Sequence, residues 1–446
     1  MFITTRLTTS YAQAILSRWR MHRLIGLLLA GALLTSFVMS ALGDRTIPER
    51  PHALPPSPRP LANRCAADPS GLAVPRDAWG KPLDYWHTCG TQIVDRDGRP
   101  VHITGIAWYG MELEGGAPQG LNVRSYQSIL DTVKALGYNV VRIPFSSASI
   151  QPGHVPTNIN YTLNPDLRGL TSLQVLDRIV DACHQRGLKV ILDHHRISPA
   201  SPPPLWHDDR YSTAQWIADW QDLAARYLGD DTVVAVDLQN EPYGATWGTG
   251  DPQTDWRLAA TEAGDATLEV NPYLLVFLQG IGTYNNQEYW WGGELRGVAT
   301  APVHLRLPGR LVYSPHEYGP SVYPQRWFFT PDYPSDLPGI WREHWEFIVE
   351  RGIAPVVVGE FGSPDYDYGV DGTWQRVFLS YLAEHQIGFV AWALNPDAPD
   401  TGGVFTKDWK AVNTARQAIF APYLGRGLSS HAERLSQSSA GPLDRH

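Results

Sequence analysis

Cysteine is scarce, with three copies in 446 residues. No nearby pair stands at metal-ligand spacing, which argues against a zinc site. Positive charge is short as well. Lys and Arg number 36 against 45 Asp and Glu, and the net charge is −9. A polyanion would find little to neutralise it, so no nucleic-acid partner is expected. Charged residues of both signs reach only 18%, whereas hydrophobic residues make up 43% and Trp reaches 17 copies. A substantial core follows. Most of the Trp residues are expected inside it, with a remainder left to form flat apolar surfaces.

The N-terminus reads as an export segment. Arg18, Arg20 and Arg23 precede an uncharged run over residues 24–42. Ala41-Leu42-Gly43 then offers small residues at −3 and −1 of a cleavage point. The run is long for a signal core and near the lower limit for a membrane span. Residues 1–43 are therefore either a cleaved signal peptide or an uncleaved anchor. Met21-His22-Arg23 would open a compact signal peptide by itself, which makes Met21 an alternative start. In both cases the basic flank stays inside and the bulk is exported. The expectation is a secreted, extracellular protein, or one anchored to the membrane with its main domain outside.

Residues 44–64 carry Pro48, Pro51, Pro55, Pro56, Pro58 and Pro60, the composition of a semi-rigid linker. Residues 425–446 are Ser- and Gly-bearing with few large apolar side chains, so a disordered tail is expected. One domain, expected as a monomer, lies between them over 65–424. Cys65 and Cys89 flank its start and are able to pair in an oxidising compartment. Cys183 lies on the apolar stripe of a predicted helix, as a buried free thiol would.

The domain alternates strand and helix. Short apolar runs at 101–108, 139–145, 189–193, 233–238, 274–279, 311–314, 355–359 and 388–394 read as strands. Tyr126, Ile129, Val133 and Leu136 make a helical stripe stopped by Gly137. Leu173, Leu176, Ile179, Val180 and Cys183 make another, and Trp216, Trp220, Leu223 and Tyr227 a third. Around 280–310 no clear helix emerges. Eight such strands in one domain favour an α/β fold, a (β/α)8 TIM barrel, over an open sheet. Residues 92–94 and 101–103 flank Asp97-Gly98 and read as a short opening β-hairpin, placed to cover the bottom of the barrel.

Chemistry in such a barrel sits at the C-terminal strand ends. Two apolar runs end on a carboxylate, at Asn240-Glu241-Pro242 and at Gly359-Glu360-Phe361-Gly362. A buried strand that stops on a carboxylate is costly unless the group has a partner or a task. A pair of them points to acid/base and nucleophilic work on a neutral substrate, as in cleavage of a glycosidic bond. The other ends supply Trp108, Arg142, His195, His316, Tyr318 and Trp392. Arg142 is alternatively a structural partner of Asp237. His194 and His195 face opposite ways on a strand, and His195 is assigned to the mouth. A lone His316 is more often a satisfied core histidine. Trp290-Trp291, followed by Gly292-Gly293, reads as a loop whose indoles stack on sugar rings, or else as core.

With these residues the chain resembles the family 5 glycoside hydrolases, and among them bacterial endo-β-1,4-glucanases (cellulases). The motifs are Arg142-Ile143-Pro144, Leu192-Asp193-His194-His195-Arg196, Asn240-Glu241-Pro242, Tyr313-Ser314-Pro315-His316-Glu317-Tyr318 and Gly359-Glu360-Phe361-Gly362. Asp255-Trp256-Arg257-Leu258-Ala259-Ala260, Tyr289-Trp290-Trp291-Gly292-Gly293 and Asn395-Pro396-Asp397 extend the likeness over residues 90–424. The resemblance implies a retaining hydrolase of cellulose or related β-glucans that needs no metal or organic cofactor. It implies Glu241 as acid/base and Glu360 as nucleophile, with Arg142, His195, Asn240, His316, Tyr318 and Trp392 around them. Related cellulases often carry disulfides in the loops after the first, third and fourth strands. Here Leu113-Glu114-Gly115-Gly116, Ile197-Ser198-Pro199-Ala200 and Ala245-Thr246-Trp247-Gly248 hold no Cys. No stretch resembles a cellulose-binding module, so little action on crystalline cellulose is expected. A β-mannanase, a xyloglucanase, a mixed-linkage glucanase or a transglycosylase would use the same barrel. A carbohydrate-binding pseudoenzyme commonly lacks one carboxylate, and this chain has both.

Overall fold

Apolar runs too short for helices and rich in Val, Ile and Leu form one parallel sheet. Its strands are β1 (Thr104–Ala107), β2 (Val140–Ser146), β3 (Lys189–Arg196), β4 (Val233–Asp237), β5 (Leu275–Leu278), β6, β7 (Val357–Gly362) and β8 (Gly388–Ala391). β6 comes in two pieces, Leu311–Tyr313 and His316–Tyr318. The computed structural model describes Cys65 and residues 67–200, 202–364 and 369–425. These belong to the unit Pro60–His446. The export segment expected at 1–43, the linker at 44–64 and the tail beyond Gly425 lie outside the described residues.

Strands pair in chain order, and β8 returns to β1 with Val390 opposite Gly105. Closure is completed inside β6. Its first piece pairs with β5, Val312 opposite Phe277, and its second with β7, His316 opposite Glu360. Pro315 between them has no N–H to donate. Its carbonyl instead accepts Gly359 N–H at 2.9 Å, while Tyr313 N–H reaches the Pro355 carbonyl at 3.0 Å. The two pieces together link β5 to β7 and make a (β/α)8 barrel.

Side-chain caps set the helix starts. Ser125 opens α1 (Tyr126–Leu136), Thr171 opens α2 (Ser172–Gln185) with Gln174, and Ser212 opens α3 (Thr213–Arg226) with Gln215. Asp255 caps α4 (Trp256–Val270) and also accepts the N–H groups of Gly248 and Gly250. α1 ends at Gly137, whose φ of +100° is left-handed. Among the described residues, 280–310 hold no α-helix, as the sequence indicated, and carry a short 3-10 turn at Arg296–Ala299.

The opening hairpin differs from expectation. Its regular ladder runs between His87–Cys89 and Gln92–Val94. The turn at Asp97-Gly98 forms, but the next pairing shrinks to a bridge between Val94 and Pro100, because Pro100 has no N–H to extend a ladder. β1 accordingly starts at Thr104. The hairpin does lie at the bottom. Trp86 and Ile93 join Val140, Ile191, Val234 and Leu275 in the barrel interior, and Lys189, at the start of β3, sits 5.9 Å from the Trp86 ring centroid. Cys65 and Cys89 form a disulfide, and Cys183 is free and buried.

Many tryptophans bolt strands to helices. Trp216 and Trp220 on α3 both donate to the Leu238 carbonyl at 3.0 Å, just past β4. Trp256 on α4 donates to the Gln279 carbonyl at 2.8 Å, just past β5. Those bonds hold the strand ends where the functional side chains begin.

Candidate active site

Glu360, near the end of β7, is 3% exposed and held on both oxygens. Arg142 Nη1 donates to Oε1, and the Tyr318 hydroxyl donates to Oε2 at 2.6 Å. Tyr318 reaches it because the second piece of β6 pairs directly with β7.

Glu241 stands just beyond β4. Its backbone has φ +45°, an uncommon state for a residue with a Cβ, costing on the order of 1–3 kcal/mol. Its N–H is held by Gln279 Oε1 at 2.8 Å, and its Oε1 lies 3.0 Å from His316 Nδ1. That same nitrogen is 3.5 Å from Glu360 Oε2. We assign the ring proton to Nδ1, because both neighbours there are carboxyl oxygens. A carboxyl oxygen of Glu241 and one of Glu360 lie within 4.8 Å.

Arg142, in β2, is the centre of the charge network. Besides Glu360 it donates to Asp237 through Nε at 3.1 Å and Nη2 at 2.9 Å, and to Asn240 Oδ1 at 3.2 Å. Asp193 Oδ1 is 3.0 Å from Nη2. Both readings made from the sequence thus hold at once: Arg142 is an ion-pair partner of Asp237 and a contact of Glu360. Asp193 Oδ2 accepts His195 Nδ1–H at 2.6 Å, and Asn240 Nδ2 lies 3.4 Å from His195 Nε2.

Burial dominates the titration of these groups. It raises Glu241 well above the usual carboxylate value, with the charge of Glu360 adding to it and Arg142 opposing. It pushes Asp193 and Asp237 up to about 7 against the pull of Arg142. It lowers His195 and His316 well below the usual imidazole value. For Arg142 burial opposes the charge, yet Asp193, Glu360 and Asp237 outweigh it and the pKa is raised. The site therefore holds neutral imidazoles, a fixed cation and, in Glu241, a carboxyl biased toward its protonated form.

Residues 94–398 match the Cellulase (glycosyl hydrolase family 5) family. The chain belongs to glycosyl hydrolase family 5. An endoglucanase of Paenibacillus polymyxa is 44% identical over 361 residues, covering 80% of this chain and 90% of that one. The major extracellular endoglucanase of Xanthomonas campestris is 37% identical, over 78% and 73% of the two chains. Among solved structures, the hyperthermophilic endocellulase of the archaeon Pyrococcus horikoshii aligns with a TM-score of 0.72 at 36% identity, over 77% of this chain and 98% of that one.

Within this family 5 barrel, Glu241, Glu360, Arg142, His195, Asn240, His316 and Tyr318 converge as the sequence placed them. Trp392 flanks the group, its ring stacked on His195 at 5.7 Å and on Tyr109 at 5.2 Å. Trp108 does not line the mouth. It is wholly buried, and its Nε1 donates to the Gln119 carbonyl at 2.9 Å. Trp290 and Trp291 part ways. Trp290 is 6% exposed and packs near Tyr318 and Phe328, while Trp291 is 43% exposed and stacks on Tyr243. Three residues were missed. Tyr109, next to Trp108, is the residue that stacks on Trp392, pinned by Asn395 Oδ1 on its N–H and Asn395 Nδ2 on its carbonyl. Tyr243 backs Trp291. Gln279 ends the fifth strand, to which no polar residue had been assigned.

Proposed function

We propose that this chain is a retaining endo-β-1,4-glucanase that cuts internal bonds of cellulose or related β-glucans by double displacement. The observation that carries the mechanism is the approach of the Glu241 and Glu360 carboxyl oxygens to within 4.8 Å. Retaining pairs stand about 5–5.5 Å apart, whereas inverting pairs leave roughly 6.5–9.5 Å for a water. Glu360, braced by Arg142 and Tyr318, attacks C1 as a carboxylate. Glu241 protonates the glycosidic oxygen, the C1–O bond breaks, and the leaving sugar departs as an alcohol. Glu241 is left as a carboxylate, and because Glu360 is now a neutral ester, the neighbouring charge that raised the Glu241 pKa is gone and the carboxylate persists to act as base. It takes a proton from water, the water oxygen bonds to C1, and Glu360 leaves as a carboxylate. Asn240 meets the 2-OH as positive charge develops.

Trp392, stacked on His195 and Tyr109, is the platform for the sugar that is attacked. Trp291 and Tyr243 lie beyond Glu241 and serve the leaving-group side. The endoglucanase relatives support the glucan substrate. So do complexes of the Pyrococcus endocellulase with cellotetraose, solved for variants replacing Glu by Ala or Tyr by Phe. Reducing-sugar release from carboxymethyl-cellulose should exceed that from mannan and xyloglucan, and proton NMR should show the β-anomer forming first. Preference for mannan or xyloglucan would reassign the substrate, and an α-anomer the mechanism.

The chain is also proposed to be exported. The Cys65–Cys89 disulfide, of a kind that persists in oxidising compartments, supports this reading. N-terminal sequencing of protein from the culture medium should find a start just after Gly43. Recovery of the whole chain in the membrane fraction would identify an anchor instead.

A further inference from the structure

Gln279 spans the two halves of the site. It follows β5 directly and exposes no surface. Oε1 accepts the backbone N–H of Glu241 at 2.8 Å, and Nε2 donates to Asp237 Oδ2 at 2.9 Å. These neighbours fix the orientation of the amide, since an N–H requires an acceptor and a carboxylate a donor. Asp237 Oδ2 also receives Arg142 Nε and Nη2, and Arg142 in turn holds Glu360. One side chain therefore links the peptide of one carboxyl residue to the anchor of the other.

The left-handed φ of Glu241 persists because its surroundings over-determine it. Two of the contacts are local. Gln239 Nε2 donates to the Asn240 carbonyl at 3.2 Å, and Tyr243 N–H donates to the Glu241 carbonyl at 2.6 Å. The first is itself tied to β3, where Gln239 Oε1 lies 2.7 Å from His194 Nδ1 and the Asn240 N–H donates to the His194 carbonyl at 2.9 Å. Gln279 reaches the segment from the next strand, and is itself fixed by Trp256 on its carbonyl. Gly292 passes close above the amide: a Cβ there would lie 3.0 Å from Gln279 Oε1.

We propose that Gln279 is a positioning residue for proton transfer: it sets the backbone of Glu241, and with it the aim of the carboxyl at the glycosidic oxygen. This rests on the roles proposed above for Glu241 and Glu360. Without the amide, the Glu241 N–H loses its acceptor and the peptide is free to leave its left-handed state. Cleavage that needs an acid then suffers. Attack by Glu360 on a substrate whose leaving group departs unaided suffers less, because Arg142 keeps Asp193, Asp237 and Glu360 as partners.

Gln279→Met keeps the length and removes both hydrogen bonds. Gln279→Leu likewise removes both hydrogen bonds with an apolar side chain of similar size. The kcat/KM values of parent and variants are compared on cellotetraose and on dinitrophenyl cellobioside across pH. For Gln279→Met the expected loss is about 100-fold on cellotetraose and under about 5-fold on the activated substrate, the scale of general acid catalysis. The alkaline limb of the cellotetraose profile should move and the acidic limb stay. Equal losses on both substrates, or no loss, would overturn the proposal. If Gln279→Met fails to fold by circular dichroism, Gln279→Leu carries the same comparison. A parent inactive on both substrates would overturn the proposed function and this inference with it. An active parent whose variants lose both substrates alike overturns this inference alone.

Discussion

Trp291 lies face to face with Tyr243, ring centroids 3.9 Å apart and planes 15° from parallel. Tyr243 follows Glu241 by two residues, so the stacked pair is fixed to the segment that carries the proposed acid/base. An indole–sugar contact there is expected to contribute about 1–2 kcal/mol, by analogy with other aromatic face contacts. Trp291→Ala should therefore raise KM for long cello-oligosaccharides roughly 5- to 30-fold, the same energy as a ratio, with little change in melting temperature. Trp290→Ala should instead cost about 3–5 kcal/mol of stability, the scale for emptying a buried aromatic site. Thermal melts and oligosaccharide kinetics on the two variants separate the roles. An unchanged KM in Trp291→Ala would remove it from the cleft.

Glu360→Gln keeps the size of the side chain but removes the charge that faces Arg142. No glycosyl-enzyme should form. In the parent, an activated 2-fluoro glycoside should label Glu360, read by peptide mass spectrometry. A label on any other residue would displace Glu360 as nucleophile.

Glu241→Ala should lose most activity on cello-oligosaccharides, whose leaving group needs protonation, and lose less in glycosylation by dinitrophenyl glycosides. Azide should rescue deglycosylation and yield a β-glycosyl azide, because retention returns the β face. The parent's alkaline limb has a sign that can be checked as well. Burial and Glu360 raise the Glu241 pKa, so its proton, and the acid step, persist above the usual carboxylate range and are lost as pH climbs through the raised value. In Glu241→Ala that limb should vanish for activated substrates.

Glu317 points away from the mouth, between His316 and Tyr318, and accepts the Tyr289 hydroxyl and Trp345 Nε1. Burial pushes it up to about 8, with the aromatic donors opposing. The folded chain thus keeps a proton there that an unfolded chain releases near 4.5. Its contribution to stability is full below that value and is lost as pH rises through about 8. Urea unfolding at pH 5 and pH 8 should show a smaller drop for Glu317→Gln than for the parent. An equal drop would mean that Glu317 is ionised throughout.

The strand-end residues were legible because a short apolar run shows where it stops, and what stands there faces the mouth. Glu241 and Glu360 were found that way, and the gap in helix over 280–310 was visible as a missing stripe. Trp108 failed for a reason built into strands. Adjacent residues point to opposite faces, so one step decides between cleft and core. With Trp108 and Tyr109 side by side, both aromatic, nothing in the pattern marks which one turns inward. Gln279 was hidden differently. Its task is toward a backbone N–H whose conformation no side-chain pattern reveals, although a polar residue closing the run 274–279 was a signal within reach.

β4 and β7 are separated around the barrel by two other strands. The spacing between Glu241 and Glu360 is therefore a dimension of the closed sheet, fixed by strand number and stagger rather than by any connecting loop. Grafting new loops onto the rim should change which polysaccharide is accepted while the anomeric configuration of the product stays the same. A variant selected for another glycan would still be expected to release the β-anomer first.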